Sequence, residues 1–286
     1  MPIDQQLIDT LAENSVVVIG APYDENSTFM LGPAEAPGKI REALHCGSAN
    51  LCSEDVVDLG KEALFKDLGD MAFIPSQPPL VEIEGVVDQL LEKKVRVLLL
   101  GGDHAVTPGV LRAYHRQYGQ VNILQFDAHP DLYEEFEGNR NSHACPFARI
   151  MEEGLAKRLV QVGIRTMNPH QRKQAERFEV EVLPMKSWAP AMVPKFEGPL
   201  YISLDMDALD PAFAPGVSHH EPGGLSTRDV LSVIQNIDAP VIGADIVEFN
   251  PLRDTSGMTA MVAAKLLKEL ASKMLNTLHE TDGGNE

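Results

Sequence analysis

Six short apolar runs recur along the chain: SVVVIGAP (15–22), VRVLLLGG (95–102), VNILQFD (121–127), RLVQVGIR (158–165), PLYISLD (199–205) and PVIGADIVE (240–248). They are apolar nearly throughout rather than alternating, the pattern of strands buried on both faces of a parallel sheet. Between them the period changes. Ile83, Val86, Val87, Leu90 and Leu91 follow the spacing of one helical face. Thr107 and Pro108 read as an N-cap and first helical position, with Gly119 as the stop. Ser226 and Asp229 form a capping-box pattern before VLSVI, and Ala263 to Leu275 reads as a last amphipathic helix. Strands alternating with helices predict an α/β fold built on a parallel sheet. No linker, charge block or repeat divides the chain, so it reads as one domain over 1–286. Residues 1–14 and 277–286 are expected to be peripheral or frayed.

The ionisable residues change the picture, because they follow strand ends. Asp103 and His104 come after VRVLLLGG, and Asp127, His129 and Asp131 after VNILQF. Asp205 and Asp207 close PLYISL, and Glu248 closes VIGADIV. The carboxyl edge of an open parallel sheet is where ligands bind. Side chains two apart at a strand end point the same way, so Asp127 and His129 face one point, as do Asp205 and Asp207. Asp131 joins them as the chain turns after Pro130. With His104 this makes four carboxylates and two imidazoles. Four converging negative charges repel unless cations neutralise them, and two divalent ions balance the count. Carboxylate-rich sites with imidazole favour Mn²⁺ over Mg²⁺ or structural Zn²⁺.

Composition narrows the partners. A net charge of −18 excludes a nucleic-acid binder and docking on anionic membranes, and suits a small cationic substrate. No apolar run is long enough to span a membrane. Cys46, Cys52 and Cys145 are too few for a disulfide framework, and Cys145 reads as structural. The N-terminal segment lacks the pattern of a secretory signal, so cytoplasm is the expected location.

Five motifs, GGDHAVTPG (101–109), DAHPD (127–131), SLDMDALDPAFAPG (203–216), EPGGLS (221–226) and DIVEFNP (245–251), resemble in order and spacing those of the ureohydrolase family of arginases and agmatinases. The resemblance runs from about residue 15 to 275, more loosely over GAPYDENSTFMLGPAEAPGKIREAL. It implies an arginase-like three-layer α/β/α sandwich around a mainly parallel sheet, with two Mn²⁺ per subunit. His104, Asp127, Asp131 and Asp205 would bind one ion, and Asp127, His129, Asp205 and Asp207 the other, with Asp127 and Asp205 bridging. The implied reaction is hydrolysis of a guanidinium group to urea and an amine. Glu248 would orient the guanidinium, His143 would shuttle a proton to the leaving amine, and Asp131 would serve the catalytic centre. The resemblance also implies a homo-oligomer, a trimer or hexamer.

For the substrate, LYEEFEGNRNSH (132–143) carries Glu134, Glu135 and Glu137, which would repel an α-carboxylate. The DALDPAFAPG and EPGGLS stretches resemble agmatinases more than arginases. Agmatine, giving urea and putrescine for polyamine biosynthesis, is therefore the first expectation. Arg140 leaves open a carboxylate-bearing substrate such as guanidinobutyrate or formimidoylglutamate; arginine and aminopropylagmatine are further alternatives. A phosphoesterase is disfavoured by the lack of a basic or Gly-rich phosphate cradle, and a non-catalytic metal-binding relative by the intact ligand set. Asp103 reads as a hydrogen-bonding support, and His219 and His220 as loop residues close to the site, with a contact of one of them to the substrate tail the lesser alternative. His45, His115, His170 and His279 read as surface or packing residues. If the bridge assignment holds, Asp127→Ala or Asp205→Ala abolishes Mn²⁺ binding and activity together; an active, fully metallated variant overturns it.

Overall fold

The computed structural model describes residues 3, 5–190 and 192–282, excepting side chains from 277 onward, so the expectations for the His279 side chain and for residues 283–286 fall outside the described residues. Among these residues eight strands form one sheet: β1 (Val16–Gly20), β2 (Phe65–Asp70), β3 (Arg96–Leu100), β4 (Val121–Phe126), β5 (Ala156–Val162), β6 (Glu181–Leu183), β7 (Leu200–Asp205) and β8 (Val241–Val247). Their order is β2-β1-β3-β8-β7-β4-β5-β6, and every pair is parallel. All six expected strands are present. The two that the pattern did not reveal are the sheet edges. FKDLGD of β2 is only half-buried and largely polar, and β6 is three residues long. Neither needs the apolar run that marks a strand covered on both faces.

Among the described residues, eight α-helices accompany the sheet: α1 (Gln5–Asp9), α2 (Ala36–Leu44), α3 (Pro79–Glu92), α4 (Thr107–Tyr118), α5 (Pro146–Glu152), α6 (Pro169–Arg177), α7 (Thr227–Asn236) and α8 (Met258–Asp282). Alternate strand residues divide between two buried cores. Val16, Val18, Leu98, Leu100, Leu124 and Phe126 meet α2, α7 and α8 through Ile40, Leu44, Val230, Ile234, Leu267 and Leu270. Val17, Ile19, Val97, Leu99 and Ile123 meet α3, α4 and α5 through Ile83, Val87, Val110, Tyr114, Phe147 and Ile150. This is the expected three-layer α/β/α arrangement. Each such side chain contributes about 1.5–3 kcal/mol on burial. Near the N-terminus, Ile8 of α1 is buried in the second core rather than peripheral.

The local signals fare unevenly. Ser226 and Asp229 make a reciprocal capping box, and Gly119 ends α4 at φ 70°. Thr107 is not a cap. A 3-10 turn, His104–Val106, runs directly into α4, and its cap is Asp103, which accepts from Ala105 N at 3.1 Å. Thr107 lies within the helix, and its hydroxyl donates to the buried Asp245 at 2.9 Å. Inside the sheet β3, β8, β7 and β4 are neighbours, so the four strands that deliver acids and histidines end side by side.

Gly102, just beyond β3, lies against the backbone of Tyr23, and a Cβ there would overlap the Tyr23 carbonyl oxygen. Gly85 is the opposite case, exposed on α3 with open space around it. Gly102→Ala is expected to lower unfolding free energy by about 1–3 kcal/mol. Gly85→Ala should raise it by about 1 kcal/mol. Denaturant titration of both variants checks the contrast; equal effects would contradict the close approach at Gly102.

Candidate active site

The carboxyl ends of β3, β4 and β7 gather a first set of donors around His104. Its Nδ1 lies 3.3 Å from Asp127 Oδ2, 3.1 Å from Asp131 Oδ2 and 3.2 Å from Asp205 Oδ2. Yet this buried nitrogen makes no hydrogen bond. The other ring nitrogen, Nε2, sits 2.9 Å from Ser203 Oγ, and Ser203 donates to Asp245 Oδ1 at 2.7 Å. Asp245 is fully buried and also accepts from Tyr201 and Thr107, so it is committed as an acceptor. Ser203 therefore spends its proton on Asp245 and accepts from Nε2–H. That leaves the Nδ1 lone pair aimed among three carboxylates. Donors packed around an octahedral divalent cation lie roughly 3 Å apart, so the spacing fits a coordination shell.

A second set joins the first through Asp127. His129 Nδ1 is 3.0 Å from Asp207 Oδ2 and 3.5 Å from Asp127 Oδ1. Asp127 thus presents one oxygen to each set. Within each set the donor atoms lie within 4.8 Å of one another. Asp205, expected to bridge, falls only in the His104 set. Its Oδ1 accepts from Asp207 N at 2.8 Å. The charges are crowded as the count predicted. Burial and then Asp127 push the Asp131 carboxyl up to about 7, and burial, Asp207 and Asp127 push Asp205 well up. Burial works against charge on His104 and His129, but the surrounding carboxylates win and raise both. Such a cluster favours bound cations.

Backbone conformation aims two key acids. Asp131 and Glu248 both adopt left-handed φ, 52° and 63°. A non-glycine residue held there costs about 1–3 kcal/mol, which the surrounding structure must sustain. Glu248 is buried; its Oε1 accepts from His104 N at 2.9 Å and pairs with His143 Nδ1 at 2.8 Å. Burial disfavours its charge, but His143 and these hydrogen bonds hold it below the usual glutamate value. Burial likewise opposes charge on His143, yet Glu248 raises it to about 9. Asp103 supports the site as expected, with Oδ2 accepting from Asn26 N at 2.9 Å.

A cavity of about 220 Å³ opens over both sets, and Asp131, Asp205, Asp207, His143 and Glu248 line its floor. Tyr133, Phe136, Thr166, Gln171, His219 and Glu221 form its outer wall. Glu134, Glu135, Glu137 and Arg140 do not line it. Glu134 pairs with Arg177 at 2.9 Å and Arg140 with Glu152 at 2.8 Å, both exposed. Glu134 and Arg140 are therefore held away from the cavity, whereas Tyr133, Phe136 and His143 of the same segment line it. Of the histidine pair, His219 faces the cavity; His220 lies 2.6 Å from the Pro215 carbonyl outside it.

Sequence reasoning missed the residues beneath the donors. Gln161 donates to Gln125 at 2.6 Å, and Gln125 donates to Asp127 at 2.7 Å. Arg165 donates to carbonyls of Asp207 at 2.7 Å and Glu221 at 2.8 Å. A signal existed: Ser203, Asp245, Gln125 and Gln161 are polar residues inside largely apolar strands, and buried polar groups require partners.

A model of the arginase family matches residues 14–272. Arginase 1, mitochondrial, of Arabidopsis thaliana is 48% identical, with 92% of this chain and 82% of that protein covered. The chain belongs to the arginase family. By that membership it is an enzyme, a metal-dependent hydrolase of amidine groups. The solved arginase from Medicago truncatula superposes with a TM-score of 0.86 at 40% identity, covering 94% of this chain and 91% of the other. The agmatinase of Halalkalibacterium halodurans is 34% identical over 90% of this chain and 91% of its own. The agmatinase-like character of the two motifs thus does not extend to overall identity. Among the described residues no helix is long and apolar enough to cross a membrane.

Ser203→Ala removes the partner that fixes the His104 tautomer. It is expected to weaken divalent-metal affinity about 10–100-fold while leaving the fold intact. Calorimetric metal titration reads this; unchanged affinity would contradict the tautomer assignment.

Proposed function

We propose that this arginase-family enzyme hydrolyses the guanidinium group of L-arginine to urea and L-ornithine, with two Mn²⁺ held by His104, Asp127, Asp131 and Asp205 and by Asp127, His129 and Asp207. The observation that carries the reading is the sharing of Asp127 between two donor sets beneath a cavity floored by Glu248 and His143. All-oxygen and imidazole donors without thiolate fit Mn²⁺. When bound, two such cations supply Lewis acidity and an acidified water.

The chain's own residues do the rest. Glu248, ionised and fixed through Oε1, presents its carboxylate to a planar cation and orients the guanidinium. His143 holds a proton for the departing amine, and its raised basicity keeps it charged near neutral pH. Fixed donors on four neighbouring strands make the reacting geometry rigid.

Arginine is preferred because a relative named arginase covers most of the chain at high identity. Agmatine is the second reading, and one observation favours it: the cavity lining holds Glu221 but no Arg or Lys to receive an α-carboxylate. The test is urea release by Mn²⁺-loaded protein from arginine, agmatine and 4-guanidinobutyrate, with a chelated control. Arginine is expected to be turned over best, and Glu248→Gln to lower kcat/KM at least about 100-fold. Preference for agmatine supports the second reading, and no urea from any substrate overturns both.

A further inference from the structure

His143 is gripped from two sides. Its Nδ1 faces Glu248, and its Nε2 faces Thr28, 2.8 Å from Oγ1 and 3.1 Å from the backbone N–H. Thr28 belongs to a strap, residues 23–29, that is fastened at several points. Asp103 N donates to Tyr23 O at 2.9 Å, Asn26 N donates to Asp103, and His143 N donates to Asn26 O at 3.2 Å. The next residue, Phe29, makes a tilted ring contact with His219 at 5.6 Å between centroids, and the His219 ring lies 5.4 Å from the His143 ring. Thr28 lines the same cavity as Glu248.

We propose that Thr28 is a positioning residue that holds His143 in one orientation in both of its protonation states. The inference rests on the proton-transfer role given to His143 above. With Nδ1–H committed to Glu248, the proton that His143 gains and loses is the one on Nε2. In the neutral ring the Nε2 lone pair accepts from Thr28 N–H and from its hydroxyl. In the charged ring the bond from Thr28 N–H is given up, and Nε2–H donates to Thr28 Oγ1, which has lone pairs to accept it. The hydroxyl reverses direction, and the ring does not move. On transfer the Nε2 proton leaves its hydrogen bond to Thr28 Oγ1 for an amine nitrogen on the cavity side: the Nε2–H bond breaks, an N–H bond to the amine forms, the positive charge passes to the amine, and the Thr28 hydroxyl turns to donate to the freed lone pair. The charged and titratable groups facing the ring are Glu248 after β8, Asp131 after β4, Asp103 after β3 and His219 from the 217–221 loop.

Thr28→Ala and Thr28→Ser test this. Alanine keeps the backbone donor but has nothing to accept Nε2–H; serine keeps the hydroxyl and loses only the methyl group. In metal-free protein, ¹⁵N NMR of the His143 ring is expected to show one dominant Nδ1–H tautomer in the neutral wild type and in Thr28→Ser. In Thr28→Ala the charged ring loses its Nε2–H partner, so its Nε2 resonance shifts. In urea release by the Mn²⁺-loaded enzyme, Thr28→Ala should lower kcat about tenfold or more with little change in KM, and Thr28→Ser should stay within about twofold of wild type. An unchanged ring spectrum and kcat in Thr28→Ala, or equal losses in both variants, overturns the proposal. If wild type releases no urea, the functional reading fails, while the NMR comparison still decides whether Thr28 holds the ring.

Discussion

Everything at the carboxyl edge of this sheet answers to one electrostatic constraint: four aspartates are forced together where water is largely excluded. Asp127, Asp131, Asp205 and Asp207 are all buried, and His104 and His129 are the imidazoles grouped with them. Uncompensated, such a group opposes folding, because each buried carboxylate loses hydration and repels its neighbours. The arrangement makes sense as a receptacle for two divalent cations. The −18 net charge of the chain acts in the same direction, favouring approach of cations, metal or guanidinium, to the cavity.

Holding the donors against mutual repulsion requires a rigid frame, and the sheet interior supplies it. Asp245 and Ser203 set the tautomer of His104, Gln161 and Gln125 brace Asp127, and Arg165 ties down the backbone around Asp207. Each brace is a buried polar group with its partner in place, which costs little when satisfied and much when broken. Gly163 completes the frame. It sits at φ 103°, and a Cβ there would come within 2.7 Å of the Asp127 carbonyl oxygen. Left-handed backbone at Asp131 and Glu248 is the strain that this frame sustains.

The legible part of the fold was the part under the strongest constraint. Strands covered on both faces must be apolar, so the six inner ones stood out; the edge strands β2 and β6 are half-exposed and carry no such mark. Donor residues were readable because Asp127, His129, Asp205 and Asp207 sit at strand ends with a two-residue spacing. What faces the cavity from a loop was not readable, because loop direction depends on contacts far along the chain. The turn at 132–143 buries Tyr133 and Phe136 toward the cavity and sends Glu134 to Arg177. Thr28 was invisible for the same reason: its partner lies 115 residues away.

The central claim is that the cluster is built for two divalent cations. Chelator-stripped protein titrated with Mn²⁺, with bound metal counted by elemental analysis and melting temperature followed in parallel, tests it directly. Saturation at two ions per chain is expected, with a rise in melting temperature as the carboxylates are neutralised. Saturation at one ion, or binding that leaves the melting temperature unchanged, would contradict it.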